Sequence, residues 1–194
     1  MKSTARPLVI IAAFVASLAV ALTVMFWVTG GKVTSPVTIG GPFQLTDENG
    51  QTVTQKNLLG KPTLIFFGYT RCPEVCPTAL FDMSEVLRAM GSDADRVNAI
   101  FITVDPERDT QALMKEYVSS FDPHLRGLRG DAAETAKVIS EYRVYVKKIP
   151  AKDGDYSIDH TALVYLMDRN GHFVSPFKLD RKPEEAAADL KRYL

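Results

Sequence analysis

An uninterrupted apolar segment near the N-terminus constrains this chain more than any other feature. Between Leu8 and Val28 no residue is charged, and nearly every side chain is aliphatic or aromatic. A helix of this length spans about 30 Å, which is the thickness of the hydrocarbon core of a bilayer. A helix that is apolar on every face has no side suited to water. The sequence therefore predicts one N-terminal transmembrane helix.

The charges beside this helix predict its orientation. Lys2, Arg6 and the N-terminal amine lie on one side, and only Lys32 lies close on the other. Because positively charged flanks stay in the cytoplasm, we expect a cytoplasmic N-terminus and a periplasmic domain anchored in the inner membrane. A cleaved signal peptide is the alternative. Its apolar region is usually shorter, about 7–15 residues, and is followed by small residues rather than ending in a bulky run such as Met25–Val28.

The remainder of the chain has the composition of one globular domain. Gly30, Gly31 and Pro36 indicate a short linker, so we expect an anchor over residues 1–31, a linker over 32–40 and a domain over 41–194. The whole chain has 23 basic and 23 acidic residues. Proteins that bind nucleic acid normally carry a basic excess, so this balance argues against a nucleic-acid partner.

Strand-like and helix-like segments alternate along this domain. Thr63–Phe67 is a continuous apolar run, as in a strand buried on both faces. Apolar residues then recur at helical spacing from Leu80 to Met90, before Gly91. A hairpin is predicted over 43–53, and further strands over 97–104, 142–146, 161–167 and 173–174. Further helices are predicted to begin near Asp131, near Pro183, and after a cap at Asp109 or Thr110. This order predicts an α/β sheet with a thioredoxin-like fold.

The two cysteines lie four residues apart, directly after the first apolar strand. Pro77 disfavours helical backbone at Cys76, which places Cys76 near the start of a helix and Cys72 in the preceding turn. Open α/β sheets place their sites at the carboxyl ends of strands. We expect the positive end of the helix to lower the pKa of both thiols. Two such thiolates can form a disulfide or bind a soft ion such as Cu(I).

A metal ion held by two thiolates needs a third ligand, and the chain has three histidines. His124 and His172 lie in turn-like segments and are expected at the surface. His160 precedes a strongly apolar strand. In a thioredoxin-like sheet, the loop into that strand faces the turn between Gly68 and Cys76 that carries both cysteines, which we call the cysteine turn. His160 is therefore either a ligand or an ordinary structural histidine. Asp159 beside it is a candidate for orienting the imidazole.

Several motifs together resemble the Sco/SenC family of copper chaperones. The matching segments are Gly68–Thr70, the run Cys72-Pro-Glu-Val-Cys76-Pro77, Val104–Thr110, Asp159-His160 and Tyr165–Gly171. The resemblance covers the chain from about Gly41 onward, and the anchor matches as well. It implies a membrane-anchored thioredoxin-like domain in which Cys72, Cys76 and His160 bind copper, as Cu(I), Cu(II) or both.

The same resemblance implies a function and its partners. It implies delivery of copper to the copper A site of cytochrome c oxidase subunit II. A protein with this function is a metallochaperone, which binds and transfers the ion without catalytic turnover. Other copper chaperones or thiol reductants are further implied partners. Asp105, in the Val104–Thr110 motif, either supports the metal ligands, contacts a partner or shapes a turn at the end of a strand.

Two other functions remain open from the sequence. One is a thiol–disulfide oxidoreductase that reduces the cysteines of the copper A site or of another extracytoplasmic protein. The spacing differs from the usual redox motif, Cys-x-x-Cys. The other is a peroxiredoxin-like peroxidase. It is disfavoured because the Thr70-Arg71-Cys72 segment lacks the threonine further upstream that such enzymes use to position peroxide.

Overall fold

The computed structural model describes residues 5–28, 38–151 and 154–194. The predicted linker falls largely on residues 29–37, which lie outside these ranges, as does Lys2. Contacts within the chain divide it into two units, Met1–Val37 and Thr38–Leu194.

The first unit contains the helix α1, over Ala5–Val28. Its segment Val9–Trp27 is 19 residues long and apolar enough to cross a membrane. The side chains of residues 9–27 are all exposed. Because exposure of so many aliphatic and aromatic groups to water is unfavourable, this helix needs an apolar environment.

The second unit contains nine strands among the described residues. They are β1 (Gln44–Asp47), β2 (Thr52–Thr54), β3 (Thr63–Gly68), β4 (Asn98–Thr103), β5 (Leu125–Arg129), β6 (Val146–Pro150), β7 (Tyr156–His160), β8 (Val164–Met167) and β9 (Phe173–Phe177). Seven of them form one mixed sheet in the order β2-β1-β5-β4-β3-β8-β9, and β6 pairs with β7 in a separate hairpin.

Four α-helices and two short 3-10 helices complete this unit. The α-helices are α2 (Val75–Met90), α3 (Gln111–Ser119), α4 (Ala132–Glu141) and α5 (Pro183–Lys191). The 3-10 helices cover Gln55–Leu58 and Gly91–Arg96. The predicted local signals are present: Thr110 accepts a hydrogen bond from the Leu113 N–H, Asp131 forms a capping box with Glu134, and Pro183 is the first residue of α5.

The centre of the sheet places two loops side by side. Strands β3 and β4 are parallel, and their registered pairs end at Gly68 and Thr103. Every residue of β3 is buried, as a strand covered on both faces requires. Because parallel strands end at the same edge of a sheet, the cysteine turn after Gly68 and the Val104–Thr110 segment after Thr103 leave that edge together.

The sequence-based strand boundaries need three corrections. Residues 142–146 do not form one strand, because Tyr142 ends α4 and its ring packs against Phe67 and Tyr165. The strand predicted over 161–167 covers only Val164–Met167. The strands β5 and β7 were not predicted; two arginines interrupt β5, and β7 is largely polar. The α/β fold itself is as predicted.

Candidate metal centre

The cysteine turn is built on the first turn of α2. The helix begins at Val75, with Glu74 before it, so Cys76 and Pro77 are its second and third residues. Cys76 lies in this first turn, where backbone N–H groups have no partner within the helix. Its N–H donates to the Sγ of Cys72, at 3.3 Å. The Cys72 sulfur therefore lies at the positive end of the helix.

Cys76 is fully buried, whereas Cys72 is partly exposed. The Cys76 Sγ packs against Gly68 so closely that a Cβ on Gly68 would lie 2.7 Å from it. Burial raises the pKa of the Cys76 thiol well above its ordinary value. The expectation that the helix N-terminus lowers this pKa is wrong, because loss of hydration penalises the thiolate more than the helix favours it. Burial therefore favours the neutral thiol form of Cys76 when no metal ion is bound.

His160 reaches the cysteines from the β6–β7 hairpin. It is the last residue of β7, not part of a loop leading directly into the next strand. Its Nδ1 donates to the backbone carbonyl of Thr161, at 3.1 Å. Its Nε2 therefore carries the free lone pair, and it lies 3.6 Å from the Cys76 Sγ. The rings of Phe66 and Tyr69 make T-shaped contacts with the imidazole.

The fold brings the three predicted ligands into one group. The two Sγ atoms and a ring nitrogen of His160 all lie within 4.8 Å of one another. Ligands at bond lengths of about 2.0–2.3 Å from one ion lie about 3.5–4 Å apart in a trigonal arrangement, so small side-chain movements would close this set around an ion. Thiolate sulfur favours soft ions such as Cu(I). The donor set therefore fits copper.

The two predicted supporting carboxylates do not contact these three side chains. Asp159 is exposed, and successive residues of a strand point to opposite faces, so it points away from His160. Asp105 is fully buried. Its carboxylate accepts hydrogen bonds from the Tyr156 hydroxyl, at 2.7 Å, and from Nε of Arg108, at 2.5 Å.

Asp109 is a buried carboxylate that the sequence suggested only as a possible helix cap. It accepts hydrogen bonds from the N–H and the hydroxyl of Thr70, at 3.1 and 2.6 Å, and from the hydroxyl of Thr103, at 2.5 Å. Burial raises its pKa. Asp109 thus fixes the start of the cysteine turn. Its place in the Val104–Thr110 motif was the available signal.

The other two histidines lie outside this group. His124 is half-buried and contacts two carboxylates, with Nδ1 2.6 Å from Asp122 and Nε2 3.2 Å from Asp95. His172 is exposed, as expected. Neither shares the ligand group formed by Cys72, Cys76 and His160.

Comparison with protein families gives one match over most of the chain. The sequence model described as SCO1/SenC matches residues 31–194. An SCO2-like protein of Rickettsia felis is 38% identical over 157 residues, which are 80% of this chain and 77% of that relative.

Solved structures with the same fold include several with copper bound. The structure of Bradyrhizobium japonicum ScoI with copper bound is 78% identical, with a TM-score of 0.79, and the match covers 80% of this chain and 99% of that one. The crystal structure of Arabidopsis thaliana ScoI with copper bound is 38% identical, with a TM-score of 0.73, over 80% of this chain and 97% of that one.

Proposed function

The chain belongs to the SCO1/SenC family, and from this membership we propose that it binds copper and delivers it to the copper A site of cytochrome c oxidase subunit II. The observation that carries the proposal is the convergence of Cys72, Cys76 and His160 within 4.8 Å. Copper is here the cargo of the protein. The structures of two relatives with copper bound support copper as the ion.

The burial of the ligands suits a site that must also release its ion. Cys76 is buried, whereas Cys72 and His160 are partly exposed. Binding of Cu(I) displaces the proton from the Cys76 thiol, because the metal ligand is the thiolate. An incoming partner thiolate would reach copper from the exposed side and replace Cys72 or His160 first. Oxidation of the two cysteines to a disulfide would remove both sulfur ligands and expel the ion.

Copper transfer would take place at a membrane, because the apolar helix α1 would anchor the protein there. We propose that residues 1–31 anchor the protein in the inner membrane, with the N-terminus in the cytoplasm. Residues 32–40 would then link the anchor to a periplasmic domain over residues 41–194. Anchoring confines the domain to the membrane surface, which raises its effective concentration near a membrane-bound oxidase.

The test is copper transfer by the full chain in detergent micelles. The reduced protein is loaded with Cu(I) or Cu(II) and mixed with an apo copper A domain, and the copper content of each protein is measured after separation. We expect transfer by the wild type, and weaker copper binding and altered transfer in His160→Ala, which keeps the two sulfur ligands. The matched control is His172→Ala, which removes an exposed imidazole. Unchanged copper affinity and stoichiometry in a Cys72→Ser, Cys76→Ser double variant would contradict the proposal.

One observation favours a second candidate, reduction of a disulfide in another protein. Cys72 is the partly exposed cysteine and lies at a helix N-terminus, which is the place of an attacking thiolate. Its attack on the target disulfide would form a mixed disulfide and release one target thiol. Cys76 would then attack the Cys72 sulfur, forming the Cys72–Cys76 disulfide and releasing the second target thiol. Cys76→Ser should then trap the mixed disulfide. Full reduction of the target by a His160→Ala variant without copper affinity would favour this function over delivery.

A further inference from the structure

The hairpin that carries His160 is separate from the main sheet. Its strands β6 and β7 are hydrogen-bonded to each other and not to the seven-stranded sheet. The hydrogen bonds of the main sheet therefore hold β3, which leads into the two cysteines, but they do not hold β7, which carries His160. The distance from His160 to the cysteines depends on whatever attaches the hairpin to the rest of the domain.

Arg108 lies at the centre of that attachment. Its guanidinium carbon is 3.6 Å from the centre of the Tyr156 ring and 5.8 Å from the centre of the Tyr69 ring. Its Nη1 donates to the Tyr156 carbonyl, at 2.8 Å, and to Asp155, at 2.6 Å. Its Nε donates to Asp105. One side chain thus joins the loop after β4, the cysteine turn and the hairpin.

Tyr156 makes the reciprocal contacts from the hairpin. Its hydroxyl donates to Asp105, at 2.7 Å, and lies 3.3 Å from Glu107. Lys148, on the partner strand, pairs with Glu107 at 2.7 Å. The Arg108–Asp105 pair is largely buried, with 12% of the arginine side chain exposed and none of the aspartate. Solvent therefore screens it less than the exposed ion pairs of a protein surface.

The register of β7 connects these contacts to the ligand. Tyr156, Ile158 and His160 occupy alternate positions of the strand, so their side chains share one face. Ile158 is buried between the other two, and its N–H donates to the hydroxyl of Tyr69. The contacts that hold Tyr156 against the loop after β4 therefore also orient His160 toward the cysteines.

We propose that Asp105, Arg108 and Tyr156 form a clamp that positions His160 for copper binding. These three residues position a ligand and do not bind the ion themselves, because the possible metal ligands are Cys72, Cys76 and His160. The inference rests on the proposed copper site and deepens it: the clamp determines how much His160 contributes to copper affinity. It also gives Asp105 and Arg108 of the Val104–Thr110 motif a role that the sequence left open.

The variant that tests the clamp is Tyr156→Phe, which removes one hydroxyl and keeps the ring. Cu(I) affinity of the full chain in detergent is measured by competition with a chromogenic Cu(I) chelator. We expect the dissociation constant to rise about tenfold, at the lower end of the range found when groups that orient metal ligands are removed. Tyr145→Phe is the matched control, since Tyr145 is exposed and its hydroxyl makes no hydrogen bond with the described residues.

A double variant separates positioning from general damage to the fold. If the clamp acts through His160, Tyr156→Phe has no further effect on Cu(I) affinity in a His160→Ala background. A loss of the same size in both backgrounds would overturn the inference, as would an unchanged affinity in Tyr156→Phe alone. If the wild type binds no Cu(I), the proposed function itself fails, and that outcome is distinct from the other two.

A spectroscopic measurement reports on His160 directly. Electron paramagnetic resonance of the Cu(II)-loaded wild type should show coupling to the imidazole nitrogen. We expect this coupling to be weakened in Tyr156→Phe and retained in Tyr145→Phe. Identical nitrogen coupling in Tyr156→Phe and the wild type would contradict the clamp, because a change of overall stability alone does not alter the ligands of the bound ion.

Discussion

Gly68 and Cys76 are in direct contact, and the absence of a side chain at Gly68 makes that contact possible. A Cβ at position 68 would lie 2.7 Å from the Cys76 Sγ and 2.9 Å from Cε2 of Phe101. Both neighbours are fully buried, so neither can move aside easily. The last residue of β3 thus determines where the buried sulfur lies.

Gly68→Ala is therefore expected to displace Cys76. Overpacking a buried position costs about 1–3 kcal/mol of the free energy of unfolding, and we expect weaker Cu(I) binding in addition. Denaturant unfolding and chelator competition measure the two effects. Gly60→Ala is the control: a Cβ there meets no atom within 4 Å, but its φ of +88° strains an alanine. It should lose stability and keep its copper affinity. Equal affinities in both variants would contradict this role of Gly68.

Asp109→Asn tests whether the cysteine turn is held from the β4–α3 loop. The carboxylate accepts three hydrogen bonds, two of them from Thr70. An asparagine of the same shape brings an NH2 group toward at least one of these donors. Leaving buried polar groups without a partner costs about 1–3 kcal/mol. We expect lower stability and faster hydrogen exchange of the Thr70 amide. An unchanged exchange rate would show that Asp109 does not hold this turn.

The two cysteines should differ in reactivity when no metal is bound. Burial raises the pKa of the Cys76 thiol, and the side chain is fully buried, whereas Cys72 is partly exposed. With iodoacetamide at neutral pH, we expect Cys72 to be alkylated faster by on the order of tenfold or more. Peptide mapping by mass spectrometry measures both rates. Cys76 should stay slow in a Cys72→Ser variant, and equal rates in the wild type would refute the assignment.

His124 gives the folded protein a pH dependence that is independent of the metal centre. Its hydrogen bond to Asp122, with a smaller contribution from Asp95, raises the pKa of the imidazole above 6.5. Folding therefore favours the protonated form. This stabilisation is fully present below about pH 6.5 and is lost as the pH rises through the folded-state pKa. One third of the side chain is exposed, so we expect less than about 1 kcal/mol.

The measurement is the free energy of unfolding of the wild type and of His124→Gln between pH 5.5 and 9. The advantage of the wild type should shrink as the pH rises. An advantage that grows with pH would have the wrong sign and would rule out the protonated pair with Asp122.

Much of the fold follows from local sequence patterns. Leu64–Phe67 is uniformly apolar, and apolar residues from Leu80 to Met90 repeat at helical spacing, so β3 and α2 were predictable. The caps at Thr110 and Asp131 use side chains next to the groups they cap. These elements are specified within a few residues of sequence.

The hairpin and its contacts were not predictable in the same way. Strand β6 is mostly exposed and contains two lysines, so its stability depends on contacts distant in the sequence. Asp105 and Tyr156 are separated by 51 residues, and only the folded chain shows that they meet. The cysteine pair was visible from its spacing. His160 was predicted as a metal ligand from its place in the expected fold and from the family resemblance.

X-ray absorption of the Cu(I)-loaded full chain tests the central claim most directly. If Cys72, Cys76 and His160 hold the ion together, the wild-type spectrum should fit two sulfur ligands and one nitrogen ligand. The nitrogen contribution should disappear in His160→Ala and persist in His172→Ala. A wild-type spectrum with sulfur ligands only, or a nitrogen contribution that survives in His160→Ala, would contradict the account.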